Sequence, residues 1–386
     1  MIIKKTNFIL FIILFLFGIY LCFIGGYGSD EDTLPMIGAF ESMMGGNKLM
    51  ASRFTPYPVA ELGIGFLSYN FGSTVTNLVT YLLLIGGLIF FYIGICKKIN
   101  IDELFLYLIL CLTNPILYFD NLEPMDYSWA FFPLALGIFA LRKNFFELAV
   151  ILFGISIGTR IYFLIFVFVS IMYFDYNIKI SLSRKIQFFF LSWFVGGLFY
   201  LPIWFENSMG FAWLTAVTPN EQGFSGLIAR FFYKLIMSFS LISFFVISFF
   251  ITKIFLEKKK IELPKILFFL CLTNLLIFIF IPAEISYLQP FLISFLLICL
   301  INIKKKIIYF IIFVNLFSWF IELVPIKINY ISNNKCDNVQ AVSAKIHFDL
   351  KKGRLFDYLN TRNKISCWID EDSPRGQKII QGKPLK

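Results

Sequence analysis

Apolar runs long enough to cross a lipid bilayer recur along this chain from Phe8 almost to Val324. The hydrocarbon core of a bilayer is about 30 Å thick and is crossed by roughly 20 helical residues. Backbone groups inside it have no water to bond, which favours helices. The composition agrees, because 59% of the residues are hydrophobic and 19% are aromatic, far more than in a soluble domain. The sequence therefore predicts an all-α polytopic membrane protein.

The net charge of +10 comes from short basic clusters between the apolar runs. This is the positive-inside pattern of membrane proteins, and it argues against nucleic acid as a partner. The first run follows Lys4 and Lys5 and ends without a small-residue cleavage site, as expected of an uncleaved anchor with a cytoplasmic N-terminus. The other clusters are Lys97-Lys98, Arg142-Lys143, Lys179 to Lys185, Lys258 to Lys260 and Lys304 to Lys306.

The apolar stretch from Phe145 to Phe174 decides the topology. Read as one helix, it would place every later basic cluster outside the cell. A break at Gly158-Thr159-Arg160 returns all of them to the cytoplasm, at the cost of two short segments of about 14 residues that need tilting or shelter. About eleven membrane segments result: 8–25, 75–96, 103–119, 127–141, 145–158, 161–174, 188–205, 233–255, 264–282, 287–303 and 307–324.

Most of the polar residues that could carry chemistry then lie on the outer face. The long first outer loop, 26–74, contains a stretch after Ala51 that is too broken by Gly and polar residues to span, which predicts amphipathic helices along the membrane surface. Composition changes near Pro325, so we divide the chain into a transmembrane domain, 1–325, and a small extracytoplasmic tail, 326–386. Cys336 and Cys367 are the two cysteines of this tail, and an oxidising compartment would allow a disulfide between them.

Three acids, Asp30, Glu31 and Asp32, follow the first apolar run in the stretch "GYGSDEDTLPMIGAFESMMGG", residues 26–46. One interpretation is a solvated cap after the helix. The other is a set of catalytic carboxylates. The neighbouring sequence favours the second interpretation, because Arg53 and the Pro-rich turn at Pro56 and Pro58 follow in the same loop.

This arrangement resembles the first outer loop of the GT-C superfamily, integral membrane glycosyltransferases of the protein mannosyltransferase and aminoarabinose transferase type. Two further stretches also resemble segments of this superfamily, in the same order along the chain and on the predicted outer face. "LAVILFGISIGTRIYFLIF", 148–166, is similar to the Gly-x-x-x-Gly-x-x-Arg segment of that superfamily, with Gly154 and Gly158 in place and Arg160 one residue earlier than that spacing. "PAEISYLQPFL", 282–292, is similar to its late outer turn, although Ile285-Ser286 replaces the basic residue that often stands there.

The resemblance implies transfer of a sugar from a polyprenyl-phosphate carrier. The acceptor hydroxyl must lose a proton as it attacks the anomeric carbon, which is a task for a positioned carboxylate. On the pattern of the superfamily, Asp30 is the base, Glu31 supports it and Asp32 is the fallback.

The departing phosphate needs cations and donors at the membrane face. Arg160 is the first candidate, because an ionisable residue inside a membrane segment is costly and needs a partner. A snorkelling arginine at the segment boundary is the alternative. Arg53 and Tyr287 complete the expected phosphate site.

A second acidic group lies in the turn "YFDNLEPMDYSW", with Asp120, Glu123 and Asp126, and Glu284 lies in the late outer turn. These residues would orient the acceptor or hold a divalent cation, or they are only a polar turn. Cys/His spacing for a metal is absent from the sequence, whose one histidine is His347. The sequence specifies no cofactor, and a divalent cation bound by Asp or Glu stays open.

We therefore expect a bacterial-type inner-membrane glycosyltransferase that uses a polyprenyl-phosphate sugar and acts on a glycan, lipid or protein acceptor at the outer face. A surface-polysaccharide polymerase or ligase is the alternative, and it would be expected to depend more on Arg-rich outer loops. A transporter or flippase ranks third, because it would place ionisable residues near the bilayer midplane and often shows paired repeats.

The predicted topology is tested by reporter fusions. A reporter fused after Arg184 should give a cytoplasmic signal and one fused after Glu284 an outer signal, because only the break at Arg160 keeps the basic clusters inside. Exchange of these two results would contradict the predicted faces and every site assigned to them.

Overall fold

A computed structural model gives the fold and describes residues 2–28, 33–46, 56–175, 180–207, 223–256, 264–280, 285–331, 340–361 and 373–386. The described chain is mostly helical. Its helices are α1 (Ile2–Ile24), α2 (Thr33–Met44), α3 (Pro58–Ile95), α4 (Ile101–Thr113), α5 (Pro115–Phe119), α6 (Asp126–Arg142), α7 (Phe146–Thr159), α8 (Phe163–Tyr173), α9 (Leu182–Leu198), α10 (Leu201–Asn207), α11 (Gly223–Phe239), α12 (Leu241–Leu256), α13 (Lys265–Phe280), a 3₁₀ turn (Ile285–Leu288), α14 (Gln289–Asn302), α15 (Lys305–Ser318), α16 (Arg354–Thr361) and α17 (Pro374–Ile380).

An aromatic core joins the N-terminal helix to the centre of the bundle. The Tyr118 hydroxyl donates to the carbonyl of Leu14 at 2.8 Å, and the Tyr118 ring stacks on Trp319 with centroids 4.6 Å apart. The indole N–H of Trp319 donates to the Thr113 carbonyl, which the end of α4 leaves without a helical partner. Aromatic rings with a polar tip thus connect helices that are far apart in sequence.

The predicted break at Arg160 is confirmed. Helix α7 ends at Thr159, Arg160 has extended backbone angles (φ −145°, ψ 117°), and α8 begins at Phe163. The two glycines before it have a packing role, since Gly154 faces Val195 and Gly158 faces Phe199 at the contact of α7 with α9. Small residues let two helices approach closely in this way.

Length and apolar composition identify three described helices that could cross a membrane: Lys5–Ile24, Pro58–Ile95 and Ile285–Asn302. A fourth span is possible from the pair Arg230–Phe239 and Leu241–Thr252, which is bent by 91°. Three shorter apolar helices are Phe146–Thr159, Phe163–Tyr173 and Lys265–Phe280. Long apolar helices thus agree with a membrane protein, while eleven segments and their orientation stay a prediction.

The structure corrects four predicted segments. Segments 103–119 and 188–205 are each divided between two helices, α4 with α5 and α9 with α10. The segment 233–255 is not one helix, because α11 and α12 meet at a sharp bend at Ser240, a non-glycine residue with φ 63°. The segment 307–324 is too long, because α15 ends at Ser318 and a β-strand begins at Ile321.

The mostly helical chain agrees with the all-α prediction, and the tail adds an antiparallel hairpin of β1 (Ile321–Ile331) and β2 (Gln340–Lys352) that the sequence did not predict. Its register pairs Ile321 with Lys352 and Ile331 with Gln340. The register shifts at Pro325, which cannot donate to the ladder and so belongs at a bulge. Strand β1 runs through the predicted domain boundary at 325, and the division itself stays a prediction.

The first loop contains helices, as predicted. Helix α2 lies in it, and α3 begins in it at Pro58 and is interrupted at Gly72 (φ 78°, ψ −175°). The interruption comes three residues before the predicted membrane segment at 75, so it divides the predicted surface helix from the predicted span. Placement of the first part along a membrane surface stays a prediction.

A pair of glycine substitutions tests the α7–α9 contact. A Cβ on Gly154 would lie 2.6 Å from the Val195 Cβ, whereas a Cβ on Gly197 of α9 would meet no atom within 4 Å. We expect Gly154→Ala to lower stability by about 1–3 kcal/mol through overpacking. Gly197→Ala should be neutral or stabilising by up to about 1 kcal/mol, since alanine is the better helix former. Equal thermal midpoints of the two variants in one detergent would contradict the contact.

Candidate functional site

The break between α7 and α8 turns the side chain of Arg160 into the protein interior. Its backbone N–H closes the last turn of α7 on Ser156, and its carbonyl accepts from Phe163 N to start the next turn. The side chain is only 1% exposed. The arginine therefore does not reach solvent, which excludes the snorkelling interpretation for this conformation.

Four tyrosine rings and one carboxylate surround the Arg160 guanidinium. Its Nη1 donates to Asp126 Oδ1 at 3.1 Å, and its Nη2 donates to the Tyr57 hydroxyl at 3.3 Å. A cation over aromatic faces is attracted by their electron density, most strongly when water is excluded. The ring centroids lie 3.9 Å (Tyr127), 4.8 Å (Tyr57), 4.9 Å (Tyr162) and 4.9 Å (Tyr287) from the Arg160 Cζ. We call these four tyrosines with Arg160 and Asp126 the tyrosine cage.

Two hydrogen-bond donors of the tyrosine cage lack an acceptor within the part of the chain that the structure describes. They are the Nε–H of Arg160 and the hydroxyl of Tyr162, both buried. A buried donor without a partner costs about 1–3 kcal/mol. A ligand oxygen or a water that accepted from either donor would recover its part of that cost.

The cage has a more accessible side. The Tyr57 and Tyr127 rings are buried, whereas Tyr162 and Tyr287 are half-buried and lie against each other with centroids 5.7 Å apart. Tyr287 belongs to the short 3₁₀ turn, which is held by a hydrogen bond from Asn274 to its carbonyl. The exposed parts of the four cage rings therefore belong to Tyr162 and Tyr287.

The turn between α5 and α6 and the first residue of α6, together residues 120–126, carry three acids that connect the cage to the other predicted motifs. Asp126 pairs with Arg160. Asp120 accepts from the Ser286 hydroxyl at 2.6 Å, beside Tyr287. Glu123 packs against Gly28, where any side chain would overlap its carboxylate. Each acid of this turn thus contacts a different predicted motif, and Gly28 is two positions before Asp30 in the sequence.

A network of neutral side chains fixes this turn. Asn121 donates to the Leu117 carbonyl at 2.8 Å and to Gln289 Oε1 at 3.1 Å, and it accepts from the Ser128 hydroxyl. Asn121 and Ser128 are fully buried and Gln289 nearly so. Gln289 Nε2 has no acceptor among the described residues, so the network is held by the three hydrogen bonds of Asn121. Buried bonds of this kind favour one geometry of the turn that carries the acids.

The structure brings together several of the predicted site residues. Arg160, Tyr287 and Asp126 meet in the cage, and Asp120 and Glu123 lie in the same turn. These acids do not gather into a metal site, because the described residues contain no group of three or more His, Cys, Asp or Glu that could hold an ion. Seven predicted residues lie outside the described residues: Asp30, Glu31, Asp32, Arg53, Glu284, Cys336 and Cys367.

Sequence reasoning missed three of the four cage tyrosines. The signal available was their position, since Tyr57 lies between two prolines of the first loop, Tyr127 follows Asp126, and Tyr162 is two residues after Arg160. Each of these tyrosines therefore stands within or beside a motif already singled out for another residue.

Comparison of the chain with models of protein families, with curated proteins and with solved structures finds no match.

The buried ion pair gives a stability prediction. Asp126→Leu leaves the Arg160 charge buried without its carboxylate, which should cost about 3–5 kcal/mol. The double variant Asp126→Leu with Arg160→Met removes both charges and should unfold at a higher temperature than Asp126→Leu alone. If the double variant loses as much as the two single variants together, the pair carries no coupling and the cage is not held by it.

Proposed function

We propose that this protein is a membrane glycosyltransferase of GT-C type, which transfers a sugar from a polyprenyl-phosphate carrier to a glycan, lipid or protein acceptor at the outer membrane face. The observation that carries the proposal is the tyrosine cage, which holds a buried cation and two unsatisfied donors at the break of an apolar helix pair. The motif resemblance gives the reaction class.

The unsatisfied donors support an anionic oxygen ligand. A phosphate oxygen accepts hydrogen bonds from both an arginine Nε–H and a tyrosine hydroxyl. Charge-assisted bonds of this type are about twice as strong as neutral ones. Arg160 and Tyr162 supply such donors without first breaking the bond between Arg160 Nη1 and Asp126.

In the proposed reaction, the positive charge of Arg160 is needed more when the phosphate leaves than when the carrier first binds. A new bond forms between the acceptor oxygen and the anomeric carbon, while the bond from that carbon to the phosphate oxygen breaks and its electron pair leaves with the phosphate. The carrier phosphate thereby goes from one negative charge to two, and a preorganised cation stabilises the charge that develops.

The proton of the acceptor hydroxyl must go to a base, for which Asp30 is proposed. Support from the described residues is indirect: Gly28, two positions before Asp30, packs against Glu123 of the turn that also carries Asp126. Base and cation would then belong to one site organised by residues 120–126.

The test is transfer by the purified protein in lipid nanodiscs with defined polyprenyl-phosphate sugars, measured as release of polyprenyl phosphate. Asp30→Asn keeps the size of the side chain but cannot take the proton, so turnover should fall by about 10² or more while carrier binding changes little. Asp32→Asn is the matched control and should be mild. The reverse result would move the base to Asp32, and normal turnover in both variants would leave the acids as a solvated cap.

The variant Tyr162→Phe tests the proposed phosphate site in the same assay. It keeps the ring against Arg160 and removes one proposed donor to the phosphate, so carrier affinity should fall by about tenfold, the value of one charge-assisted bond. Arg160→Ala is a poorer probe, because it would leave Asp126 buried without its cation. Unchanged carrier affinity in Tyr162→Phe would contradict the assignment of the cage to the phosphate.

A further inference from the structure

The segment 373–386, for which the sequence suggests no role, lies against the first loop. We propose that this segment is a positioning element of the candidate site. It contacts the chain before and after Asp30, Glu31 and Asp32, and we call these contacts of residues 373–386 the clasp. The inference rests on the proposed function for its catalytic consequence, and on described contacts for the clasp itself.

Main-chain hydrogen bonds dock the segment on α3. Ser73 N donates to the Gly382 carbonyl at 3.0 Å, and the N–H groups of Leu385 and Lys386 each lie 3.0 Å from the Tyr69 carbonyl. The Ser73 hydroxyl accepts from Gly26 N at 3.0 Å and donates to the Gly382 carbonyl at 3.2 Å. Ser73 thus connects the end of α1, the break in α3 and the C-terminal segment.

Two glycines make this approach possible. Gly72 (φ 78°) and Gly382 (φ 63°) both have left-handed backbone angles that other residues rarely adopt. A Cβ on Gly72 would lie 2.5 Å from the Gly382 carbonyl oxygen, and a Cβ on Gly382 would overlap the Ser73 hydroxyl. The kink in α3 and the turn after α17 therefore fit each other only without a side chain at Gly72 and Gly382.

Side chains of the segment contact both ends of the acidic stretch. Ile379 is buried in a small cluster with Tyr27, before the acids, and Ile37 of α2, after them. The Tyr27 hydroxyl lies 3.3 Å from the Ser68 carbonyl and 3.5 Å from that of Lys383. Burial raises the pKa of Tyr27, so this hydroxyl keeps its proton and stays a donor.

An ion pair adds a second attachment to α2. Arg375 Nε donates to Glu41 Oε2 at 2.9 Å, with the arginine half exposed to solvent. Exposed pairs of this kind contribute little to stability, so the main-chain bonds and the Ile379 cluster hold the clasp. The pair instead allows a test of the contact between the segment and α2, because the charges of Arg375 and Glu41 can be exchanged.

These contacts restrain the chain on each side of residues 29–32. Gly26 and Tyr27 are held before the acids, and α2 is held after them at Ile37 and Glu41. A base must stay within hydrogen-bond reach of the acceptor, and small displacements of such a group lower the rate steeply. Release of the clasp should therefore lower turnover while the tyrosine cage, which the segment does not touch in the described contacts, still binds the carrier.

Hydrogen exchange and kinetics on the full chain test the proposal with two matched variants. Gly382→Val blocks the docking, whereas Gly46→Ala introduces a side chain at an equally left-handed glycine (φ 82°) that meets no atom within 4 Å. In Gly382→Val the α2 amides should exchange about tenfold faster or more, as expected for loss of a local restraint. We also expect kcat to fall by about tenfold with unchanged carrier affinity. Gly46→Ala should match the wild type at residues 33–42.

Arg375→Glu serves as a milder variant if Gly382→Val fails to fold. Its α2 exchange should rise slightly and return when Glu41→Arg restores the opposite charges. Unchanged α2 exchange in both Gly382→Val and Arg375→Glu overturns the clasp, and faster exchange with normal kcat overturns its positioning role. A wild-type protein that transfers no sugar would refute the proposed function, and the exchange result would then decide the clasp alone.

Discussion

The ion pair between Arg160 and Asp126 is the interaction on which the rest of the site depends. Both side chains are 1% exposed in a bundle made mostly of apolar residues. A buried charge without a partner costs several kcal/mol, so the carboxylate, the Tyr57 hydroxyl and four aromatic faces must all reach one guanidinium. That requirement explains why the helix stops at Thr159, since an extended residue can direct its side chain between elements that a continuous helix would separate.

The same requirement explains the geometry of the turn 120–126. To bring Asp126 to Arg160, the chain must enter α6 from a fixed direction, and the buried amides of Asn121 and Gln289 fix that direction. Once the turn is fixed, Asp120 and Glu123 have little freedom and face Ser286 and Gly28. Stabilisation of one buried pair therefore organises contacts to both the early loop and the late outer turn.

The sequence predicted those features that depend on local pattern. Apolar runs and basic clusters were enough to place most helices and the break at Arg160, because both follow from the cost of polar groups in a membrane. The bend at Ser240 was missed, since no Gly or Pro marks it, and so was the hairpin across Pro325. The cage was missed for a different reason: Tyr57 and Arg160 meet from positions 103 residues apart, and no periodicity reports such a contact.

Pairing with Asp126 also bears on how the cage would act in the proposed reaction. An arginine whose charge is already balanced attracts a monoanionic carrier only moderately, and its attraction grows when the leaving phosphate gains a second charge. Interactions that strengthen toward the transition state raise the rate, whereas equally strong binding of the substrate does not. The Asp126 carboxylate beside Arg160 is therefore compatible with phosphate chemistry. In the proposed reaction it would make the cation available mainly when the anomeric bond breaks, and it stabilises the buried guanidinium throughout.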